Sequence, residues 1–432
     1  MADGSRLLRL LKLVLLASLV GVLLLRGVMP AWMGITDDFP EYFTSAKSVR
    51  EGEDPARLYD GDWFRAQTRR YHVGTGENPG EFTPYPPPTA LLLTPLTSFK
   101  PLTALRIVTV LNVALLVCSA FLLRRTFGWR LVDAALFVLA PGLALLSGLR
   151  LGHPYILISM CCLLGYHFYR SGRPWLGGVL LGLFVPIKYF PLAVLAGFAL
   201  CRQWRVVLGG AMAIAAVTLV SMVALGWEVH RIFLHDVILN HLSGHLIEGP
   251  RFTAIFQSID TLVERLLIFD AVKNPHPWLN APQAVAAAIA ATKLLLLLLA
   301  GLAVVKLAAA AATRMLAPAI GILGITVLLV APGSGTYAYV LLWLPCALLV
   351  DFLKAEGART SALLILSGYV LIGFIPYRHA YQFEGDGLLT VLAYPRLLLL
   401  FAMFFVSIHA AFFLASARRA ALPRMHTEAQ NV

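Results

Sequence analysis

An all-α membrane protein that crosses the bilayer many times is the fold class this sequence predicts. Two observations carry the expectation. The chain is 59% hydrophobic and only 13% charged, and long apolar stretches recur along it. A helix needs about 17 to 25 such residues to cross roughly 30 Å of hydrocarbon. Twelve stretches are expected as transmembrane or re-entrant helices, at residues 7–29, 103–123, 131–148, 154–169, 175–187, 189–201, 206–226, 282–309, 315–331, 336–352, 360–375 and 389–416. They are read as one integral membrane domain over residues 1–432.

The first stretch lies in "MADGSRLLRLLKLVLLASLVGVLLLRGVMP". Basic residues before an apolar run resemble a signal peptide, but the run is long and no small-residue cleavage site follows it. It is expected to stay as the first membrane helix. Successive short loops then carry Arg124, Arg125 and Arg130, Arg170 and Arg173, Arg202 and Arg205, Lys306 and Arg314, and Lys354 and Arg359. By the positive-inside rule these loops and both termini are cytoplasmic. The net charge of +12 therefore reflects orientation, and no aromatic-interleaved basic patch points to nucleic acid.

One segment reads as broken. In "PWLGGVLLGLFVPIKYFPLAVLAGFALC" Pro186 and Lys188 interrupt the apolar run. A single span would put Arg173 and Arg202 on opposite sides, whereas two short helices meeting near Pro186–Pro191 keep both inside. Irregular backbone at membrane depth has to sit in protein or line a wet cavity, so a cavity opening outward is expected there.

Outside material is concentrated in residues 31–102 and 227–281. The first of these loops holds ten of the 23 acidic residues. Within it "EYFTSAKSVREG" reads as an amphipathic helix with Tyr42, Ala46 and Val49 on one face and Gly52 as its C-cap. The run Pro86–Pro87–Pro88 is expected to be extended.

Asp37 and Asp38 follow the first apolar run directly. Two readings stay open. Either residue suits an N-cap before Pro40, and a carboxylate partly shielded from water is also a good proton acceptor for a sugar hydroxyl. Lys188, an ionisable residue inside a membrane segment, is either snorkelling or a point charge for a phosphate. Arg150 and His153 in "SGLRLGHPY" fall at a similar depth. In the second loop Arg251, Gln257 and Ser258 are candidates to hold phosphate or sugar hydroxyls. His230, His235, His241 and His245 recur there without a zinc signature and read as solvated or interfacial side chains, so no metal site is expected. The five cysteines all fall in apolar segments and read as small buried thiols. Walker A, GxSxG and dinucleotide motifs are missing from the sequence.

These pieces resemble glycosyltransferase family 87, polyprenyl-phosphate-mannose-dependent mannosyltransferases of the C-type membrane glycosyltransferase fold. "DDFPEYFTSAKSVREGEDPARLYD" is similar to the first-loop signature of that family, with Asp38, Phe39, Tyr42, Phe43, Ala46, Gly52, Leu58 and Tyr59 at its positions. "FTPYPPPTALLLTPL", "GHPYILI", "LGGVLLGLFVPIKYFPL" and "FQSIDTLVERLL" resemble its later segments in the same order. His153 stands where the family has Gln, Phe256 replaces an Asn, and Gly335 and Tyr337 stand where a Trp and a His fall. The last departure leaves the donor sugar open and makes Tyr337 a candidate substrate-binding residue.

The resemblance implies transfer of mannose, or a related hexose or pentose, from a polyprenyl-phosphate donor to a lipid-linked or other extracytoplasmic glycan acceptor, with inversion and without a metal or other cofactor. Asp38 would be the general base and Asp37 its neighbour in orienting it or binding the acceptor. Tyr42, His153 and Lys188 would stand at the substrate, with Arg150 or Arg251 helping at the phosphate. A bacterial cytoplasmic membrane is implied, with the site facing away from the cytoplasm. Two rival readings share the outline: a transporter or flippase of lipid-linked sugar, and a polymerase or ligase of envelope glycans.

Overall fold

The computed structural model describes residues 2–36, 38–74, 80–242, 252, 254–310, 315–333 and 335–429. Among them helix predominates, with no strand beyond two isolated bridges. The expected all-α membrane class is thus observed. Among the described residues six helices are long and apolar enough to cross a membrane: Arg6–Met33, Pro101–Phe127, Trp204–Leu225, Pro282–Leu307, Thr336–Ala355 and Pro395–Phe413. Leu131–Leu139 and Leu143–Arg150, bent by 68°, make a seventh if taken together.

The expected count of about twelve transmembrane or re-entrant helices is not confirmed, because several of the stretches form helices too short for a full span. Every apolar stretch is helical in whole or part, but helices such as Phe190–Leu200, Leu316–Val330 and Arg359–Phe374 have 10 to 17 residues, and at 1.5 Å per residue the longest of these falls short of the roughly 30 Å hydrocarbon core. The 131–148 stretch is divided where Gly142 takes φ +36°. The 175–187 stretch is helical only over Pro174–Gly182. A continued helix would set the Pro186 ring against the Gly182 carbonyl, and the chain instead turns through residues 183–187, leaving Lys188 in irregular backbone before helix Phe190–Leu200.

The described chain groups into two compact units. One comprises Met1–Pro191, Leu208–Pro250 and Thr336–Val340. Its membrane part is packed through small residues. A Cβ at Gly177 would lie 2.5 Å from the Gly165 carbonyl oxygen, so helices Tyr155–Arg170 and Pro174–Gly182 meet backbone to backbone, a common way of joining helices in lipid. Lys12 Nζ, 2.6 Å from Asp133 Oδ1, ties the first helix to Leu131–Leu139.

The loop over 31–102 folds on its own apolar core. Helix Phe39–Arg50 ends as expected: Gly52 takes φ +78°, the Gly52 and Glu53 amides bond to the Val49 and Ser48 carbonyls, and the helix closes in a Schellman motif. Helix Gly61–Arg70 follows, capped by the Asp60 side chain on the Trp63 amide. Phe39, Tyr42, Phe43, Phe64, Phe82 and Tyr85 form the core, joined by Leu225 at the end of helix Trp204–Leu225 and Val229 at the start of the second loop. The proline run departs from the expected extended chain. Only Pro86 is extended, and Pro87–Leu91 winds into a 3-10 helix, because the fixed proline φ suits the first turn of such a helix equally well. His230, expected to be solvated or interfacial, is buried, with its ring bonded to Ser221 and the Gly226 carbonyl. His235 is exposed, while the His241 side chain and all of His245 lie outside the described residues. Of the five thiols, Cys118 is exposed rather than buried, on the outer face of helix Pro101–Phe127.

The other unit comprises Leu192–Val207, Arg251–Gly335 and Leu341–Val432. Its helix Ile259–Leu267 carries three buried charges. Asp260 Oδ1 accepts from Lys293 Nζ at 2.7 Å, Lys293 standing within the span Pro282–Leu307. Arg265 bonds to the Phe252 carbonyl and to Glu384 Oε2. Burial pushes the Glu384 carboxyl up, against the opposing pull of Arg265.

Two substitutions test this packing. Lys293→Met removes the ammonium facing a buried carboxylate and is expected to cost about 3–5 kcal/mol, read as a lowered Tm in detergent. Gly152 holds φ +66° in the turn after Leu143–Arg150, and a Cβ there would lie 2.7 Å from the Phe39 ring. Gly152→Ala should cost about 1–2 kcal/mol in backbone strain alone and more from the clash, measured by the same melt.

Candidate active site

The first unit brings residues from five separate stretches to one place. The position of each follows from local chemistry. Asp38 opens helix Phe39–Arg50 at the N-cap position, yet its backbone is helical and its side chain makes no cap bond. The capping reading of Asp38 is therefore not what the geometry shows. Its Oδ2 lies instead 2.6 Å from His153 Nε2.

His153 is delivered by a second Schellman motif. Helix Leu143–Arg150 ends with Gly152 in the left-handed region, and the Gly152 and His153 amides return to the Leu149 and Gly148 carbonyls. The sequence "RLGHP" is thus a stop signal whose second residue past the cap is fixed in space. Thr36 Oγ1 donates to the Arg150 carbonyl at 2.8 Å, which fastens the segment before Asp38 to the same turn. The Arg150 side chain itself is exposed.

On its other side His153 Nδ1 is 2.8 Å from the Tyr42 hydroxyl. Tyr42 lies one helical turn beyond Asp38, so a single helix end presents both partners to one imidazole. Burial is the main cause that pushes the Tyr42 phenol well above its ordinary value, so the hydroxyl keeps its proton. Burial likewise holds His153 below the usual histidine range. Asp38 pulls the other way, and Lys188 adds to the depression. The ring is fully enclosed, whereas 23% of the Asp38 side chain remains open. No bond to Asp38 Oδ1 is found among the described residues.

Tyrosine rings complete the surroundings. The His153 ring centroid is 3.7 Å from that of Tyr337 and 5.5 Å from that of Tyr155, and the two tyrosines stand 5.1 Å apart. Tyr85 packs on Tyr42 at 4.9 Å. Lys188 Nζ sits 4.4 Å from the Tyr85 ring centroid and 5.4 Å from that of Tyr155, a cation held by π faces. It has no carboxylate partner among the described residues. Chemically the cluster offers a half-open carboxylate fixed by an imidazole, a cation nearby, and aromatic walls.

Asp38, Tyr42, His153, Lys188 and Tyr337, all singled out from sequence, are thus brought together. Tyr85 and Tyr155 were missed as individual residues, although both lie in quoted motifs, "FTPYPPP" and "GHPYILI". An aromatic beside each candidate charge was the available signal. Asp37 and Arg251 lie outside the described residues. In the second unit Gln257 and Ser258 are wholly buried. Gln257 Nε2 donates to the Ala254 and Ala393 carbonyls and its Oε1 accepts from the Arg396 amide. Ser258 caps helix Ile259–Leu267 by accepting from the Thr261 amide. Both side chains serve the local framework, and their polar atoms face backbone rather than an open surface. No group of three or more metal-ligating side chains occurs among the described residues.

An apolar groove of about 350 Å³ is lined by Trp32, Thr103, Arg106, Ile107, Val110 and Leu111. Arg106 Nε donates to the Trp32 carbonyl, and its guanidinium lies over the Trp32 ring. The neighbouring Leu105 is among the atoms closest to Gly152.

No curated protein and no solved structure matches the chain. The family model described as glycosyltransferase family 87 matches residues 82–332. That range takes in Tyr85, His153, Tyr155 and Lys188, while Asp38, Tyr42 and Tyr337 lie outside it. More than half of the chain is covered, on an all-helical membrane framework, and the protein belongs to glycosyltransferase family 87 as a membrane glycosyltransferase.

Proposed function

We propose that the protein transfers a sugar, mannose or a related hexose or pentose, from a polyprenyl-phosphate donor to a lipid-linked or glycan hydroxyl, with Asp38 as general base. The observation that carries this reading is the Asp38 carboxylate, bonded through one oxygen to a buried imidazole while the other has no partner among the described residues. In a single displacement the acceptor oxygen attacks the anomeric carbon as the bond from that carbon to the phosphate oxygen breaks. The electron pair leaves on the phosphate, the hydroxyl proton passes to Asp38, and the anomeric configuration inverts.

Lys188 would meet the charge that develops on the departing phosphate. Aromatic faces leave its ammonium only partly satisfied, so an anion is a better partner for it than the rings alone. Tyr155 and Tyr337 would stack on the sugar. The groove at Trp32 and Arg106 suits an isoprenoid tail, its apolar lining running along a membrane-spanning helix. Arginine-rich short loops support cytoplasmic termini in a bacterial cytoplasmic membrane, with the cluster on the opposite face. The leaving group bears a single phosphate, so a side-chain cation suffices and the scheme needs no metal.

Incubation of the purified protein with labelled polyprenyl-phosphate mannose and membrane lipids should give a labelled glycolipid. Asp38→Asn should lower transfer by about 10²–10⁴-fold with its Tm retained, and full activity in that variant would remove Asp38 as the base. Lys188→Gln should raise the donor KM or lower kcat by about 10- to 100-fold without changing the acceptor KM. An unchanged donor dependence would leave Lys188 as a packing residue.

A further inference from the structure

We propose that His153 is a positioning residue that aims Asp38 through an Nε2–H bond, so that the carboxylate is held in the direction from which it accepts the substrate proton. The inference rests on the reading of Asp38 as general base, and it differs from a substrate-contact role for His153. The imidazole has no open face. Its side chain is wholly enclosed, with Tyr42 meeting the ring edge-on at 5.6 Å and Tyr155 and Tyr337 closing further sides.

The hydrogen bonds permit one tautomer. An ionised Asp38 has no proton to give, so His153 Nε2 must donate across the 2.6 Å contact. Nδ1 then carries a lone pair, and the 2.8 Å contact on that side must be a bond donated by the Tyr42 hydroxyl. Tyr42 keeps its proton because it is buried. The order is Tyr42 O–H to Nδ1, then Nε2–H to Asp38 Oδ2. Each member is anchored by its own element, Asp38 and Tyr42 by helix Phe39–Arg50 and His153 by the turn at Gly152. The carboxylate therefore cannot rotate without losing its charge-assisted bond, and Oδ1 is held in a fixed direction.

A consequence follows for pH. Protonation of His153 would place a full positive charge against Asp38 and reduce its affinity for the acceptor proton, so the imidazole must be neutral for transfer. The titratable groups facing the ring are Asp38, Tyr42, Tyr155, Tyr337 and Lys188. Asp38 favours the imidazolium, burial and Lys188 oppose it, and the net shift is downward from 6.5. Activity should accordingly hold through neutral pH and fall on acidification through a midpoint below 6.5.

The test compares His153→Gln and His153→Ala with the wild type, using labelled polyprenyl-phosphate mannose as donor probe. Glutamine can still donate an N–H to Asp38 but cannot titrate. It is expected to keep kcat within about tenfold of wild type and to retain a larger share of its pH 7 rate at pH 5. Alanine should lose about 100-fold in kcat with donor KM little changed. Superimposable pH profiles for wild type and His153→Gln would overturn the proposal, as would a loss in donor KM alone. A second measurement needs no turnover and separates this inference from the assignment of the reaction. Imidazole ¹⁵N resonances of the full-length protein in detergent should show His153 protonated at Nε2, and Asp38→Asn should lower its titration midpoint. Protonation at Nδ1, or a midpoint indifferent to Asp38→Asn, would overturn the proposal even if transfer is confirmed.

Discussion

A buried imidazole bonded to a carboxylate 115 residues earlier in the chain organises the first unit. Forming that contact requires two helix ends to be exact at once. Asp38 must begin its helix without turning its side chain onto the helix amides, and the chain after Arg150 must stop and reverse so that His153 points inward. Gly152 supplies the reversal, since its left-handed backbone is readily adopted only without a Cβ, and the Phe39 ring occupies the space a Cβ would need. The loop core of Phe39, Phe43, Phe64, Phe82 and Tyr85 is therefore continuous with the site. Apolar burial sets where the polar groups meet, and polar contacts such as Thr36 to the Arg150 carbonyl fix the remaining freedom.

Much of the fold was legible because lipid simplifies the rules. Backbone groups in hydrocarbon must bond internally, so every apolar run becomes helix in whole or part, although 131–148 divides in two and 175–187 stops early at Gly182. Local punctuation was readable too: Gly52 ends its helix, and the chain breaks before Lys188. Span number was less legible because hydrophobicity reports burial in lipid or in protein alike. Helix Leu316–Val330 is apolar and mostly enclosed by its own unit, and composition alone cannot distinguish it from a full crossing. The proline run misled because one φ value serves both polyproline and 3-10 geometry.

At the site, residue type was legible and partnership was not. Asp38, His153, Lys188 and Tyr337 stand out as polar or aromatic residues at the ends of apolar stretches. That His153 meets Asp38 depends on a tertiary contact with no local signature. Gln257 and Ser258 show the opposite case. Both are polar residues in a motif, but their side chains satisfy backbone groups that would otherwise be buried without partners. Spacing announces neither role; only the direction of the side chain separates them.

The tether on Lys188 has a mechanical meaning. An ammonium resting on tyrosine faces is held by about 0.5–2 kcal/mol, less than a buried ion pair would supply, and its four-carbon stem rises from irregular backbone rather than from a helix. In the proposed role of Lys188, such a charge would swing toward an arriving anion and return once the anion has gone, with little to break in either direction. Weak anchorage of this kind would then favour rapid turnover over tight retention of the lipid phosphate in the proposed reaction.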